Sequence, residues 1–253
     1  KKENRFDAFG NVRIIQGDSL VLTSKTVNYD GKINLAVAKE QVVLDNKEML
    51  LKTDTLYFDR TKNIAYYPAN GTVYDSLTTI NSKRGTYISE SKKYKFENKV
   101  VVNNPDFTLT SARMDFYTET KHAFFYGATT IIGEDYVVRC REGFYNTVKK
   151  EGFFKKKASI DYNNRNILGD SIYFNDTKKY ASATQNIRIT DAINNSIITG
   201  NYGQVFKEKD SAMVTHRAVA INVVELDSLY IHADTLIATG PPEQRIIRGF
   251  HDV

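Results

Sequence analysis

Arg84, Arg113 and Arg141 recur 29 and 28 residues apart. A guanidinium presents a fork of N–H donors that matches a phosphate, so such a column suits a row of phosphate groups. It suits ordinary solvated surface equally well. The other reactive side chains form no catalytic pattern. There is no Gly-x-Ser-x-Gly elbow for a serine nucleophile. His122, His216, His232 and His251 lack the spacing of zinc ligands. Cys140, the single cysteine, excludes an intramolecular disulfide and reads as a packing residue rather than a nucleophile. Glu134-Asp135 reads as a turn. Neither an enzyme nor a cofactor or metal is expected.

What positions the arginines is a repeat. Aligning Tyr29, Phe58, Ile88, Tyr117, Tyr145, Phe174 and Val205 gives steps of 29, 30, 29, 28, 29 and 31 residues. Turn chemistry follows most anchors, as in Asp30-Gly31, Asp59-Arg60-Thr61-Lys62 and Asn175-Asp176. A fixed period of this size marks a stacked array, in which each unit buries its apolar face against its neighbours. Arrays act through a long continuous face more often than through a compact pocket.

Each unit reads as two strands and a tight turn. Leu50 to Asp59 alternates with period two and is rich in Thr, Tyr and Phe, which predicts a strand. Four residues before the anchor stand Lys25, Asp54, Arg84, Arg113, Arg141, Asp170 and Asn201, a polar column that must face water. Five before stand Ser24, Thr53, Lys83, Ala112, Cys140, Gly169 and Gly200, small except for Lys83. Seven before stand Leu22, Leu51, Asn81, Thr110, Val138, Ile167 and Ile198. One before stand Asn28, Tyr57, Tyr87, Phe116, Phe144, Tyr173 and Gln204. Side chains two apart in a strand share a face, so these last three columns are expected on one inner face. Tyr66, Phe96, Phe125, Phe153 and Met213 of the return strands join them.

Small residues between apolar margins leave either a close approach of two sheets or a groove. The aromatic lining in register favours a groove. Its expected lining is Leu22, Leu51, Tyr57, Tyr87, Ala112, Phe116, Val138, Phe144, Ile167, Gly169, Tyr173 and Ile198. Lys83 and Asn81 interrupt it in the third repeat. Pro241-Pro242 marks an irregular bend.

Composition adds bounds. The 253 residues carry 35 Lys and Arg against 30 Asp and Glu, a net charge of +5 spread along the chain. Nucleic-acid binders more often cluster such charge, so no nucleic-acid partner is expected; diffuse positive charge also suits phosphorylated lipid head groups. The chain opens Lys1-Lys2-Glu3-Asn4 without the apolar core of a signal peptide. Either it is cytosolic or a signal has been removed. It also opens and closes part-way through repeats, with Gly249–Val253 starting a further unit. One repeat domain over 1–253, cut mid-repeat at its C-terminus, is therefore expected.

The run Phe9-Gly10-Asn11-Val12-Arg13-Ile14-Ile15-Gln16-Gly17-Asp18, then Ser24-Lys25-Thr26-Val27-Asn28-Tyr29-Asp30, with its later copies such as Asn70-Gly71-Thr72-Val73, resembles the OstA-like family. That LptA-like family of periplasmic lipopolysaccharide-transport proteins includes LptA and the N-terminal domain of LptD. The likeness spans essentially the whole chain through eight short copies. It implies an all-β fold, a twisted β-jellyroll or V-shaped slab of two antiparallel sheets. It also implies lipopolysaccharide or lipid A held between the sheets, with head-group phosphates near Arg84, Arg113 and Arg141. Partners would be other Lpt-type proteins joined end to end by strand pairing, or further copies of the chain. The place would be the periplasm, in association with the outer membrane. A structural or adhesive β-solenoid, binding protein or glycan on its outer face, is the other reading; a scaffold segment joining an outer-membrane barrel to periplasmic partners is a third.

Overall fold

A computed structural model describes residues 4–16, 20–162, 164–224, 227–241 and 244–253. Lys1–Glu3, Gly17-Asp18 and Pro242 lie outside the described residues. The described chain is all-β, with 19 strands and no α-helix. It divides into two compact units, Lys1–Phe125 and Tyr126–Val253.

The first unit is an antiparallel meander of β1 (Arg5–Gln16), β2 (Leu20–Asp30), β3 (Leu35–Asp45) and β4 (Leu50–Asp59), followed by β5 (Ile64–Tyr67), β6 (Gly71–Asp75), β7 (Thr78–Ser82), β8 (Arg84–Ile88), β9 (Lys93–Asn104) and β10 (Phe107–Tyr117). β5 and β6 both pair with β4, and β7 and β8 both pair with β9, so each couple is one long strand broken at its middle. Strand β11 (His122–Gly133) runs through the unit boundary. The second unit continues as β12 (Tyr136–Asn146), β13 (Glu151–Tyr162), β14 (Arg165–Asn175), β15 (Tyr180–Asp191), β16 (Ser196–Phe206), β17 (Ser211–Val224), β18 (Asp227–Thr239) and β19 (Ile246–Phe250). Each of these pairs with the next.

Every long strand turns a corner at mid-length. The return strands place two successive residues at positive φ there: Glu40-Gln41, Asn98-Lys99, Lys156-Lys157, Gln185-Asn186 and His216-Arg217. The ladders skip at the same points, for example between Lys39 and Val42 and between Lys155 and Ala158. Such a bulge bends the strand and re-aims its side chains. On the outgoing strands the corner is held by a recurring short side chain. The hydroxyls of Ser24, Ser82 and Ser111 each donate to the carbonyl two residues on, at 2.8–3.1 Å.

The bend gives each strand two arms. The A arm ends at turns 31–34, 60–63, 89–92, 118–121, 147–150, 176–179 and 207–210; the B arm ends at the opposite turns. Within each unit the inner faces of the two arms pack on one another. In the second unit the rings of Tyr136, at a B end, and Phe174, near an A end, lie 4.9 Å apart. Ile187 of a B arm reaches within 3.4 Å of the place a Cβ on Gly203 of an A arm would occupy.

The bulge also corrects the columns. It adds an unpaired step to the strand, so residues on either side of it change face. Leu22, Leu51, Val138, Ile167, Ile198 and Gly169 precede the corner and turn inward, all but half-buried Leu22 fully buried. Tyr57, Phe144 and Tyr173 follow it and turn outward, half-buried on the outer face. The same displacement puts Tyr66, Phe153 and Met213 outside and leaves only Phe96 and Phe125 of that column within.

A second correction concerns the third and fourth anchors. The buried columns run in steps of 29 through Tyr87 and Phe116, one residue before Ile88 and Tyr117. With that shift Ile80 and Leu109, both buried, replace Asn81 and Thr110, and Ser82 and Ser111 replace Lys83 and Ala112. Lys83 and Ala112 are exposed at the corner and interrupt nothing. Tyr87 and Phe116 therefore do face inward. The core column of the return strands is Ala38, Tyr67, Phe96, Phe125, Phe154, Ala183 and Val214, every one buried. Large and small alternate across neighbouring strands: Phe154 pairs with Gly143 and Ile172, and Ile172 pairs with Ala183.

Candidate functional site

The arrangement leaves one feature per unit that could receive a ligand, the seam between A and B arms. At its closed edge stand the corners. Arg84, Arg113 and Arg141 are exposed there, on the outside of the bend. The open edge, or mouth, lies between the A turns and the B turns. The column of arginines thus faces water as expected, but sits at the edge away from the mouth, because the bulge residues are those a bending strand pushes outward.

Along the A side, within each unit, each turn hydrogen-bonds to the one before it. Arg60 N–H donates to Asn34 O at 2.9 Å, Thr118 to Lys92 at 3.0 Å, Asp176 to Lys150 at 2.9 Å and Lys207 to Lys179 at 2.9 Å. Among the described residues the strand ladders join strands adjacent along the array, none an A turn to a B turn. Side chains close the mouth instead. In the first unit Lys121 Nζ meets Asp75 at 3.2 Å and stands 5.9 Å over the Phe116 ring. In the second, Lys207 pairs with Asp135 and stands 4.6 Å over the Tyr162 ring. Burial disfavours the Lys207 ammonium, but hydrogen bonds to Asp135 and Tyr162 outweigh it and hold its pKa above the ordinary value. Beside it Arg165 reaches across to Asp210 at 2.7 Å, and Arg245 reaches across to Asp191 at 3.8 Å.

Inside, the seam is filled. Phe96 and Val73 in the first unit, and Phe154, Ile172, Val214 and Leu236 in the second, have no exposed surface. A cavity of about 30 Å³ opens at the mouth of the second unit, lined by Tyr136, Ile160, Tyr162, Phe174, Tyr180 and Val205 with Lys179 and Lys207 at its rim. A second, of about 20 Å³, lies behind Arg165 and Arg245. Ligand pockets are typically hundreds of Å³, so neither of these two cavities among the described residues is itself an open groove. Sequence reasoning missed the mouth residues Asp75, Lys121, Asp135, Arg165, Asp191, Lys207, Asp210 and Arg245. Their partners stand 45 to 72 residues away in the three cross-mouth hydrogen bonds, so no local spacing announces them.

Burial also marks titratable groups. It pushes the Tyr67 phenol up to about 12, partly offset by the hydrogen bond with Ser82, and the Cys140 thiol up to about 11, partly offset by the Glu142 backbone. Tyr94 moves the same way for the same reason. Each group is neutral in the fold and ionises earlier once unfolded. The stability they contribute is complete below the unfolded values near 9 to 10 and is lost as pH rises through the folded ones. The denaturation midpoint will therefore fall between about pH 9 and pH 12, with tyrosinate absorbance rising in step with unfolding. A midpoint flat over that range would contradict the burial of these groups.

The first 112 residues match a family model described as OstA-like protein. Beyond them the 29-residue columns continue in phase through Phe174, then step by 31 to Val205. Comparison with curated proteins gave no match. Among solved structures the chain is similar to the crystal structure of LptH from Pseudomonas aeruginosa, the LptA-homologous periplasmic component of a lipopolysaccharide transport device. The two share 14% identity at a TM-score of 0.38, over 46% of this chain and 82% of that one.

Proposed function

We propose that this OstA-like chain is a non-enzymatic periplasmic carrier of the lipopolysaccharide-transport type, which takes the acyl chains of lipopolysaccharide or lipid A into the seam between its layers. The observation that carries this reading is the asymmetry of the seam. Its walls are chiefly apolar, yet its mouth is closed by side chains, with no strand ladder across it among the described residues. It can part without breaking a sheet. Each CH₂ withdrawn from water is worth roughly 0.8 kcal/mol, so a long acyl chain repays the displaced side-chain contacts. The walls repeat every 29 residues and offer similar surroundings at successive positions, which suits movement along them.

End-to-end partnership with Lpt-type proteins or a second copy is part of the proposal. Asp227–Ala233 of β18 pairs with β17 but, among the described residues, not with β19, and exposes Leu229 and Tyr230. Such an edge can accept a strand. An adhesive outer face is the second reading, supported by the stacked outward pair Tyr57 and Tyr66 at 4.9 Å and by exposed Phe153 beside Tyr173.

Photo-crosslinking separates the two. A benzophenone side chain at Phe116, inside the seam, is expected to capture lipopolysaccharide in cells, and one at Phe153, outside, to capture none. Glycolipid at Phe153 alone, or only protein at both, would defeat the carrier reading.

A further inference from the structure

The mouth of the second unit holds more than a closure. Arg165 and Arg245 are 6% and 5% exposed, and both aim at Asp210 Oδ1, at 2.7 and 3.3 Å. Arg245 also donates to the Asp210 carbonyl at 2.6 Å. Asp191, 8% exposed, lies beneath them at 3.6 and 3.8 Å. Asp210 is different, being 43% exposed on a turn. Arg245 Nε is buried without a hydrogen-bond partner, on the wall of the 20 Å³ cavity. Two buried guanidiniums thus converge on one carboxylate that can swing out to water, with one donor unused.

We propose that this cluster, with Lys207–Asp135 beside it, is a latch opened by a phosphomonoester-bearing amphiphile. The phosphate takes the place of the Asp210 carboxylate between Arg165 and Arg245, and the acyl chain follows through the adjoining mouth. Geometry favours replacement over simple addition, since the cavity has room for about one water. A phosphate has more acceptor oxygens than the carboxylate it displaces. It can meet both guanidinium forks and occupy the orphan Nε, which a single carboxylate oxygen does not. The two charges that leave, Asp210 and Asp135, are the solvent-accessible ones, at 43% and 34%. Asp191 remains to balance the arginines. Lys207 then supplies a third cation at the same mouth, next to the cavity walled by Tyr136 and Phe174. Arg165–Asp210 and Lys207–Asp135 each join a B turn to an A turn, so exchanging these carboxylates for a ligand releases both ties and leaves Arg245–Asp191, at 3.8 Å, in place. This inference rests on the carrier reading and assigns its site of loading.

The test uses the full chain and three probes: a fluorescent monoacylglycerol phosphate, the uncharged monoacylglycerol of the same chain length, and inorganic phosphate. Arg245→Gln is expected to weaken the phosphorylated probe about tenfold and leave the uncharged one unchanged. Asp210→Asn, which removes the competitor, is expected to tighten the phosphorylated probe. Lys207→Gln, at a half-exposed position, serves as a second loss variant should Arg245→Gln fail to fold. Equal binding of both lipids, indifferent to all three substitutions, would overturn the latch and leave the carrier reading standing. Inorganic phosphate binding as tightly as the phosphorylated lipid would also overturn it, since the acyl chain would then contribute nothing. Binding of neither lipid by any variant would defeat the carrier reading itself.

Discussion

Phe154→Ala will lower the unfolding free energy by about 3–5 kcal/mol, whereas Phe153→Ala, one residue earlier, will cost about 1 kcal/mol. The difference is a matter of facing alone. Phe154 has no exposed surface and stands between Gly143 and Ile172 on the inner wall of the A arm. Gly143 and Gly152 supply no side chain to refill the space: a Cβ on Gly152 would already stand 3.0 Å from the Phe154 ring. Removing the ring therefore leaves a cavity that backbone cannot close, which is the costly case. Phe153 is 48% exposed, with the Tyr173 ring 4.9 Å away on one side and Phe144 opposite it on the other strand. Truncating it forfeits outer-face aromatic contact and little burial. Urea denaturation of the two variants measures both numbers. Equal losses would mean that the bulge at Lys156-Lys157 does not set the facing of the A arm. The same pair bears on function, since a probe at Phe153 is the outside control for one in the seam.

That facing was the part of the fold hardest to read from residues. The period, the strands and the turns are legible because each rests on local chemistry. Asn and Asp stand at the turns, and Lys or Asn takes the left-handed turn position, as at Asn34, Asn63, Lys92, Lys121, Lys150 and Lys179. Alternation is also legible, but only as far as a strand stays regular. Two successive left-handed residues at Glu40-Gln41 or Gln185-Asn186 carry no glycine to announce them. Counting by twos straight through the corner opposite them on the outgoing strands puts Tyr57, Phe144 and Tyr173 inside when they are outside. At Tyr87-Ile88 and Phe116-Tyr117 two large apolar residues adjoin, and either serves as an anchor until burial decides. The two slips cancel at Tyr87 and Phe116, which were placed inside and are inside. The mouth is a different problem. Arg165, Asp191, Asp210 and Arg245 look like ordinary turn charges in the chain, and only folding each strand back on itself brings the two sets of turns together.

Asp191→Ala is expected to cost about 3–5 kcal/mol, the penalty for removing one partner from a buried ion-pair cluster, while Asp210→Asn costs about 1 kcal/mol or less. Both carboxylates meet the same two arginines, so a simple count of ion pairs would rank them equally. Burial separates them. Asp191 is 8% exposed and pairs in register with Arg165 on the neighbouring strand, and its Oδ1 also accepts from Asn164 and from the Ile193 and Asn194 amides. Removing it leaves two guanidiniums, 6% and 5% exposed, sharing the single half-hydrated carboxylate of Asp210. Asp210, at 43%, can be lost to solvent with its charge already half hydrated. Thermal and urea denaturation of the two variants decide the matter, and Asp191→Asn, which keeps the turn acceptor but not the charge, should fall between them. The ranking bears directly on transport. A latch must have one partner that stays and one that leaves at little cost, and if the Asp210 variant proved the more damaging of the two, the exchange of that carboxylate for a phosphate would have no energetic basis.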